Sequence, residues 1–105
     1  MNIKLDHTLV SSVLQEFLEG HNLTQKKLAE ATGIPFPRLN AMIKGRQRMT
    51  VEYAIRLGYY TKGNPQFWIN LQSKDDLLSI SKEEEKKIKA SIKPLKRAKL
   101  REKII

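Results

Sequence analysis

The strongest constraint on the fold lies in residues 24–48, TQKKLAEATGIPFPRLNAMIKGRQR, where two short apolar patterns of helical period are separated by one glycine. Thr24 is a good N-cap, because its hydroxyl can accept from an amide of the first turn. Leu28, Ala29 and Ala31 then share one side of a helix running from Gln25 to about Thr32. Gly33 provides the left-handed stop at no steric cost. The spacing predicts a second helix from Pro37, whose missing N–H is harmless at the first helical position. It turns Leu39, Met42 and Ile43 inward and closes at Gly45. Helices of about two turns are unstable alone in water, so this pair must be held by packing against the rest of the chain.

The rest of the chain offers that packing. Leu9, Val10, Val13, Leu14, Phe17 and Leu18 place a wide apolar face on a helix over residues 8–19, with Gly20 to end it. Thr50 caps a fourth helix reaching about Tyr60, with Val51, Ala54, Ile55 and one of Leu57 or Tyr59 expected inside. Asn64 followed by Pro65 starts a fifth, carrying Phe67, Trp68, Leu71 and Leu77. Ser81 and Glu84 form a capping box, and Glu83, Glu84 and Glu85 complement the dipole of a sixth helix expected to reach about Lys93, before Pro94. The chain therefore reads as all-α: a five-helix domain over residues 1–80 and a basic, partly helical C-terminal extension over residues 81–105. At 105 residues and 40% hydrophobic content, one modest core is possible and a second is not.

Charge narrows the ligand class. The formal net charge is +9, and Lys26, Lys27, Arg38, Lys44, Arg46 and Arg48 face a single acid, Glu30, within the 24–48 window. Clustered Lys and Arg gain free energy by releasing counterions from phosphates, so a polyanionic partner is expected. Residues 86–105 hold nine Lys or Arg against Glu102, and read either as a solvated tail or as an added hold on nucleic acid. With no cysteine, and with His7 and His21 lacking partners at ligand spacing, neither metal nor cofactor is expected. No run of about 18 apolar residues and no signal-like start occur, which points to a soluble, cytoplasmic protein that avoids membranes. No phosphate loop or nucleophile with its base is evident, and the adjacent Asp75 and Asp76 diverge on a helix, so an enzyme is not expected.

The two helices across Gly33, with cations on and after the second, outline a helix-turn-helix that docks on double-stranded DNA. Gln25 sits where its amide and the helix N-terminal N–H groups can meet a phosphate, with Lys26 and Lys27 adding a nonspecific hold. The helical period leaves Arg38, Asn40, Ala41 and Lys44 on the outer face of the second helix. Arg38 can fork onto guanine and Asn40 can pair with adenine, while Lys44, Arg46 and Arg48 suit phosphates. Phe36 either touches a thymine methyl or staples the helix start to the core. Phe67 and Trp68 read as core or dimer interface.

Over about residues 7–78 the chain resembles the HigA-type antitoxins within the lambda-repressor-like, XRE-type DNA-binding proteins. The resemblance rests on LTQKKLAEATGIP, LNAMIKGRQRMTVEYAIRL and above all NPQFWINLQSKDDL. It implies a five-helix core, a homodimer, a palindromic operator, and a HigB-like toxin partner, a small ribonuclease that cuts messenger RNA. By motif position, Gln25 and residues 36–44 match DNA-facing positions, whereas Phe67, Trp68 and Leu71 match the helix that closes the core and borders the dimer contact. The chain departs from that pattern in lacking a His-Pro-Gly-Glu start and in placing Pro37 inside the beginning of the recognition helix.

Three readings compete with an autorepressing antitoxin: a stand-alone regulator of this architecture, a partner-masking module with residual DNA binding, and an RNA binder, for which no stacking platform of aromatics is visible. A basic toxin suits the acidic residues Asp6, Glu16 and Glu19 better than the basic tail. Deleting residues 94–105 is expected to spare toxin binding and lower DNA affinity.

Overall fold

The computed structural model describes residues 8–96. The readings placed on His7, on Asp6 and on residues 97–105 lie outside that range. Six helices follow one another: α1 Leu9–Gly20, α2 Gln25–Thr32, α3 Phe36–Ile43, α4 Val51–Tyr60, α5 Pro65–Leu78 and α6 Lys82–Ala90. Side-chain oxygens cap five of them. Thr8 accepts from Ser11 N, Thr24 from Lys27 N, Thr50 from Tyr53 N, Asn64 from Gln66 N and Ser81 from Glu84 N.

The first five helices enclose one core, with Leu14, Leu28, Leu39, Met42, Ala54 and Leu57 wholly buried and Trp68 inserted from α5. α1 packs on α3 and α5, α2 on α3 and α4, and α4 on α5. The α2–α3 pair is thus held from both sides, by α1 and by α4. At its C-terminal end, Ser11 Oγ and Gln15 Nε2 of α1 donate to the Ile43 carbonyl at 2.5 and 3.3 Å, satisfying a group that the end of α3 would leave orphaned. α4 and α5 touch where Gly58 sits; a Cβ there would lie 2.8 Å from Pro65 N and 3.1 Å from its Cα.

Several boundaries differ from the sequence reading. Gly20 belongs to α1, and the left-handed residue that ends the helix is Asn22, φ 53°, a residue type that tolerates this conformation. α3 starts at Phe36, one residue before the expected Pro37. Pro37 remains in the first turn, where no intrahelical donor is needed, and the Pro35 carbonyl accepts from Arg38 N and Leu39 N. α6 ends at Ala90, short of Lys93, and all nine of its residues are exposed.

Burial along α4 corrects the sequence reading most. Ala54, Leu57 and Gly58 face the core, whereas Val51, Ile55 and Tyr59 are exposed. Two apolar lines run along this helix at compatible spacing, and the line carrying Gly58 is the one against which α5 can close. Ala31, expected on the inner side of α2, is exposed, and Thr32 is buried instead. Leu77, also expected inside, is exposed near the end of α5.

Candidate nucleic-acid interface

α2 and α3 meet through Gly33, which adopts φ 78°. The turn is braced from outside: Arg56 Nη1 on α4 donates to the Thr32 carbonyl at 3.0 Å, and any Cβ on Gly33 would come within 2.6 Å of that nitrogen. Thr32 Oγ1 donates back to the Leu28 carbonyl and accepts from Ile34 N, so the buried turn carries its own polar closure. The relative position of the two helices is therefore set by the scaffold.

On this frame the polar side chains are tethered to one another. Asn40 Nδ2 donates to Gln25 Oε1 at 2.8 Å, joining the outer face of α3 to the start of α2. Each amide keeps further donors and acceptors for an incoming ligand. Arg38 is exposed and donates to Gln47 Oε1 at 3.2 Å, while Gln47 Nε2 donates to the Arg48 carbonyl at 2.9 Å. Ala41 is half-buried between these groups and offers a methyl surface. Lys26, Lys27, Lys44 and Arg46 are exposed, the last two bordering a hollow shared with Gln25 and Glu19. Phe36 is half-exposed and lines an open hollow with Lys26, Ala29 and Glu30 of α2 and with Ile34.

Arg48 stands apart from the other cations. It forms a two-pronged ion pair with Asp76 of α5, at 2.5 and 3.1 Å. Asp76 also accepts from Gln72 Nε2, and Gln72 Oε1 accepts from Met49 N at 2.7 Å. The hydrogen bond from Arg48, then that from Gln72, holds the Asp76 carboxyl below the usual aspartate range; the same pairing pushes the Arg48 guanidinium higher still. The basic loop after α3 is thereby fastened to α5. The neighbouring Asp75 accepts from Leu9 N and Val10 N at 2.7 and 3.1 Å, serving the first turn of α1 from 66 residues away.

Sequence reasoning missed Gln47, Gln72 and Asp76 as organisers of this face, and Asp75 as the acceptor for the first turn of α1. Their partners are distant in the chain, and the LQSKDD spelling carries no local periodic signal for it. Of the residues assigned to core or dimer contact, Trp68 is buried, Leu71 packs partly against the core, and Phe67 is half-exposed, edge-on to Trp68 with ring centroids 5.2 Å apart.

This arrangement is a lambda-repressor-like helix-turn-helix domain: a braced two-helix unit with its polar side chains ordered on one outer face. The helix-turn-helix family model matches residues 14–58. An uncharacterised helix-turn-helix-type transcriptional regulator of Haemophilus influenzae is 32% identical over 92 residues, 87% of this chain and 84% of the relative. The antitoxin HigA-1 of Vibrio cholerae is 39% identical over 62 residues, covering 59% of this chain and 58% of its own. Among solved structures, the Pseudomonas aeruginosa antitoxin HigA with the higBA promoter superposes with TM-score 0.76 at 30% identity, over 87% of this chain and 99% of that one. The chain belongs to the XRE-type helix-turn-helix family of regulators and HigA antitoxins, a family of regulators rather than enzymes.

Proposed function

We propose that this protein is the antitoxin of a HigB-HigA-like, type II toxin-antitoxin pair: a homodimer that binds a palindromic operator, represses its own operon, and neutralises a HigB-like toxin that cleaves messenger RNA. The observation that carries the DNA-binding part is the ordered polar face of α3, where Asn40 is tied to Gln25 and Arg38 to Gln47. It is supported by the likeness to an antitoxin solved with its promoter. Arg38 and Asn40 read bases, Phe36 and Ala41 add apolar contact, and Lys26, Lys27, Lys44 and Arg46 hold phosphates. Arg48 contributes positive charge to the same loop while fastening it to α5. A two-fold dimer would set its recognition helices about 34 Å apart, one turn of DNA.

Among the described residues, no helix is long and apolar enough to cross a membrane, and the proposed role is exercised in the cytoplasm on DNA and on the toxin. Footprinting of the region upstream of the gene, with and without the product of the adjacent reading frame, tests the whole reading. A protected palindrome whose occupancy responds to that product is the expected result; no protection at moderate salt by a folded dimer would sink it. A stand-alone regulator is the second reading, supported by the likeness to the transcriptional regulator from Haemophilus influenzae over 87% of this chain. It predicts the same footprint and no response to a neighbouring product.

A further inference from the structure

α4 carries an apolar line that the fold leaves uncovered. Val51 is 66% exposed, Ile55 52% and Tyr59 88%, and with Tyr60, Ala31 and Thr32 they line an open groove. The three positions are four residues apart, so they make a straight stripe about 12 Å long. The helix beneath is held in place, capped by Thr50 and packed on both α2 and α5, which makes the stripe a preformed surface. Contiguous exposed apolar surface of this kind marks an interaction site on a folded monomer.

We propose that this stripe is the face on which a second copy of the chain docks, α4 against α4 in antiparallel orientation about a two-fold axis passing near Ile55. The inference rests on the homodimer reading above and assigns it a surface. Two features select a second copy as the occupant. With the axis at Ile55, Val51 falls opposite the partner's Tyr59, so the smallest side chain of the stripe meets the largest and each end of the contact fills the other. Secondly, Glu52 and Arg56 lie along one border of the stripe, joined in the monomer at 3.0 Å. A two-fold rotation keeps both on the same border and reverses their order, bringing each Glu52 near Arg56 of the partner subunit. The contact is isologous and matched in charge. DNA gains little from a border of balanced charge, and a basic toxin would meet Arg56 as well as Glu52.

The chain contains no cysteine, which permits a direct test on the full-length protein. Ile55→Cys placed at the axis should cross-link to itself under a mild oxidant, because a disulfide needs Cα atoms within about 7 Å. Leu77→Cys, exposed as well but on α5, should not. In parallel, Ile55→Asp and Tyr59→Asp should sediment at about half the wild-type mass. Circular dichroism should be unchanged, since neither side chain belongs to the core. A wild-type dimer that survives both aspartates, or that cross-links through position 77 and not 55, overturns the assignment of the face and leaves the homodimer reading standing. A wild-type protein that is monomeric at tens of micromolar removes the homodimer reading and this inference together.

Discussion

The recognition face and the C-terminal arm both present basic residues, yet the fold treats them oppositely. Around α2 and α3, side chains are tied to one another and to the scaffold: Gln25 to Asn40, Arg38 to Gln47, Arg48 to Asp76. Along α6 the support is local. Ser81 caps the first turn, and Glu85 pairs with Lys89 at 3.3 Å on the same helix, with every residue exposed. Net charge attracts a polyanion from either place, but reading a sequence of bases requires donors held at fixed positions, which only the packed scaffold provides.

That contrast is easiest to break at Arg38 and Asn40. Replacing either by alanine should remove about 1–3 kcal/mol of discrimination between operator and random DNA, and the pair together more, as read by competition binding. Affinity for random DNA should fall far less. If both variants lose specific and random binding in the same proportion, these side chains are phosphate holds and the recognition face works like the arm.

The scaffold behind the face is the next point of attack. Gly58→Ala forces a Cβ into the Pro65 backbone, where no flexible side chain can yield, and should cost about 1–3 kcal/mol in thermal unfolding. Asp75→Ala, which strips the carboxylate from the first turn of α1, should cost about 0.5–2 kcal/mol, as removal of a helix cap does. Deleting residues 94–105 should leave the melting temperature where it is, since residues 94–96, where the deletion begins, are exposed and so is the whole of α6 before them.

The same deletion sharpens the comparison on the DNA side. It removes five Lys or Arg and one Glu. Operator and random affinities should fall by one common factor, and the salt dependence should flatten by about 0.9 for each phosphate the shortened chain no longer neutralises. A change in the specificity ratio would place the tail among the base-reading elements.

The smallest effect concerns Asp76. Its carboxyl is held below the ordinary aspartate value of about 3.9, so the ionised form is favoured by folding. The contribution is therefore fully present at neutral pH and disappears as pH falls through the lowered folded-state value. Asp76→Asn should melt slightly earlier than wild type at pH 7 and match it in strong acid. Solvent exposure of both partners keeps the difference small, and its persistence in acid would mean that packing of the loop, not the ion pair, is at stake.

Much of the domain was legible because its signals are local. The caps Thr24, Thr50, Asn64 and Ser81, and the stop at Gly33, act within a few residues, and the apolar period of α1 and α3 has one reading. α4 was legible only as a helix. Val51, Ile55 and Tyr59 compete with Ala54, Leu57 and Gly58 for the inside, and hydrophobicity favours the wrong line; the close approach of Pro65 to Gly58 decides for the other. Likewise Arg48 looks like its neighbours Lys44 and Arg46 in sequence. Its pairing with Asp76 depends on α5 returning across the end of the basic loop.

The amino-acid sequence by itself determined the helical class, the glycine turn between α2 and α3, and the set of polar residues on the outer face of α3, because each follows from backbone preference and period over short distances. Tertiary structure alone decided which face of α4 is bare, which arginine is fastened to α5, and how Asp75 reaches α1. Those outcomes depend on contacts between residues up to 66 positions apart, and no local pattern encodes them.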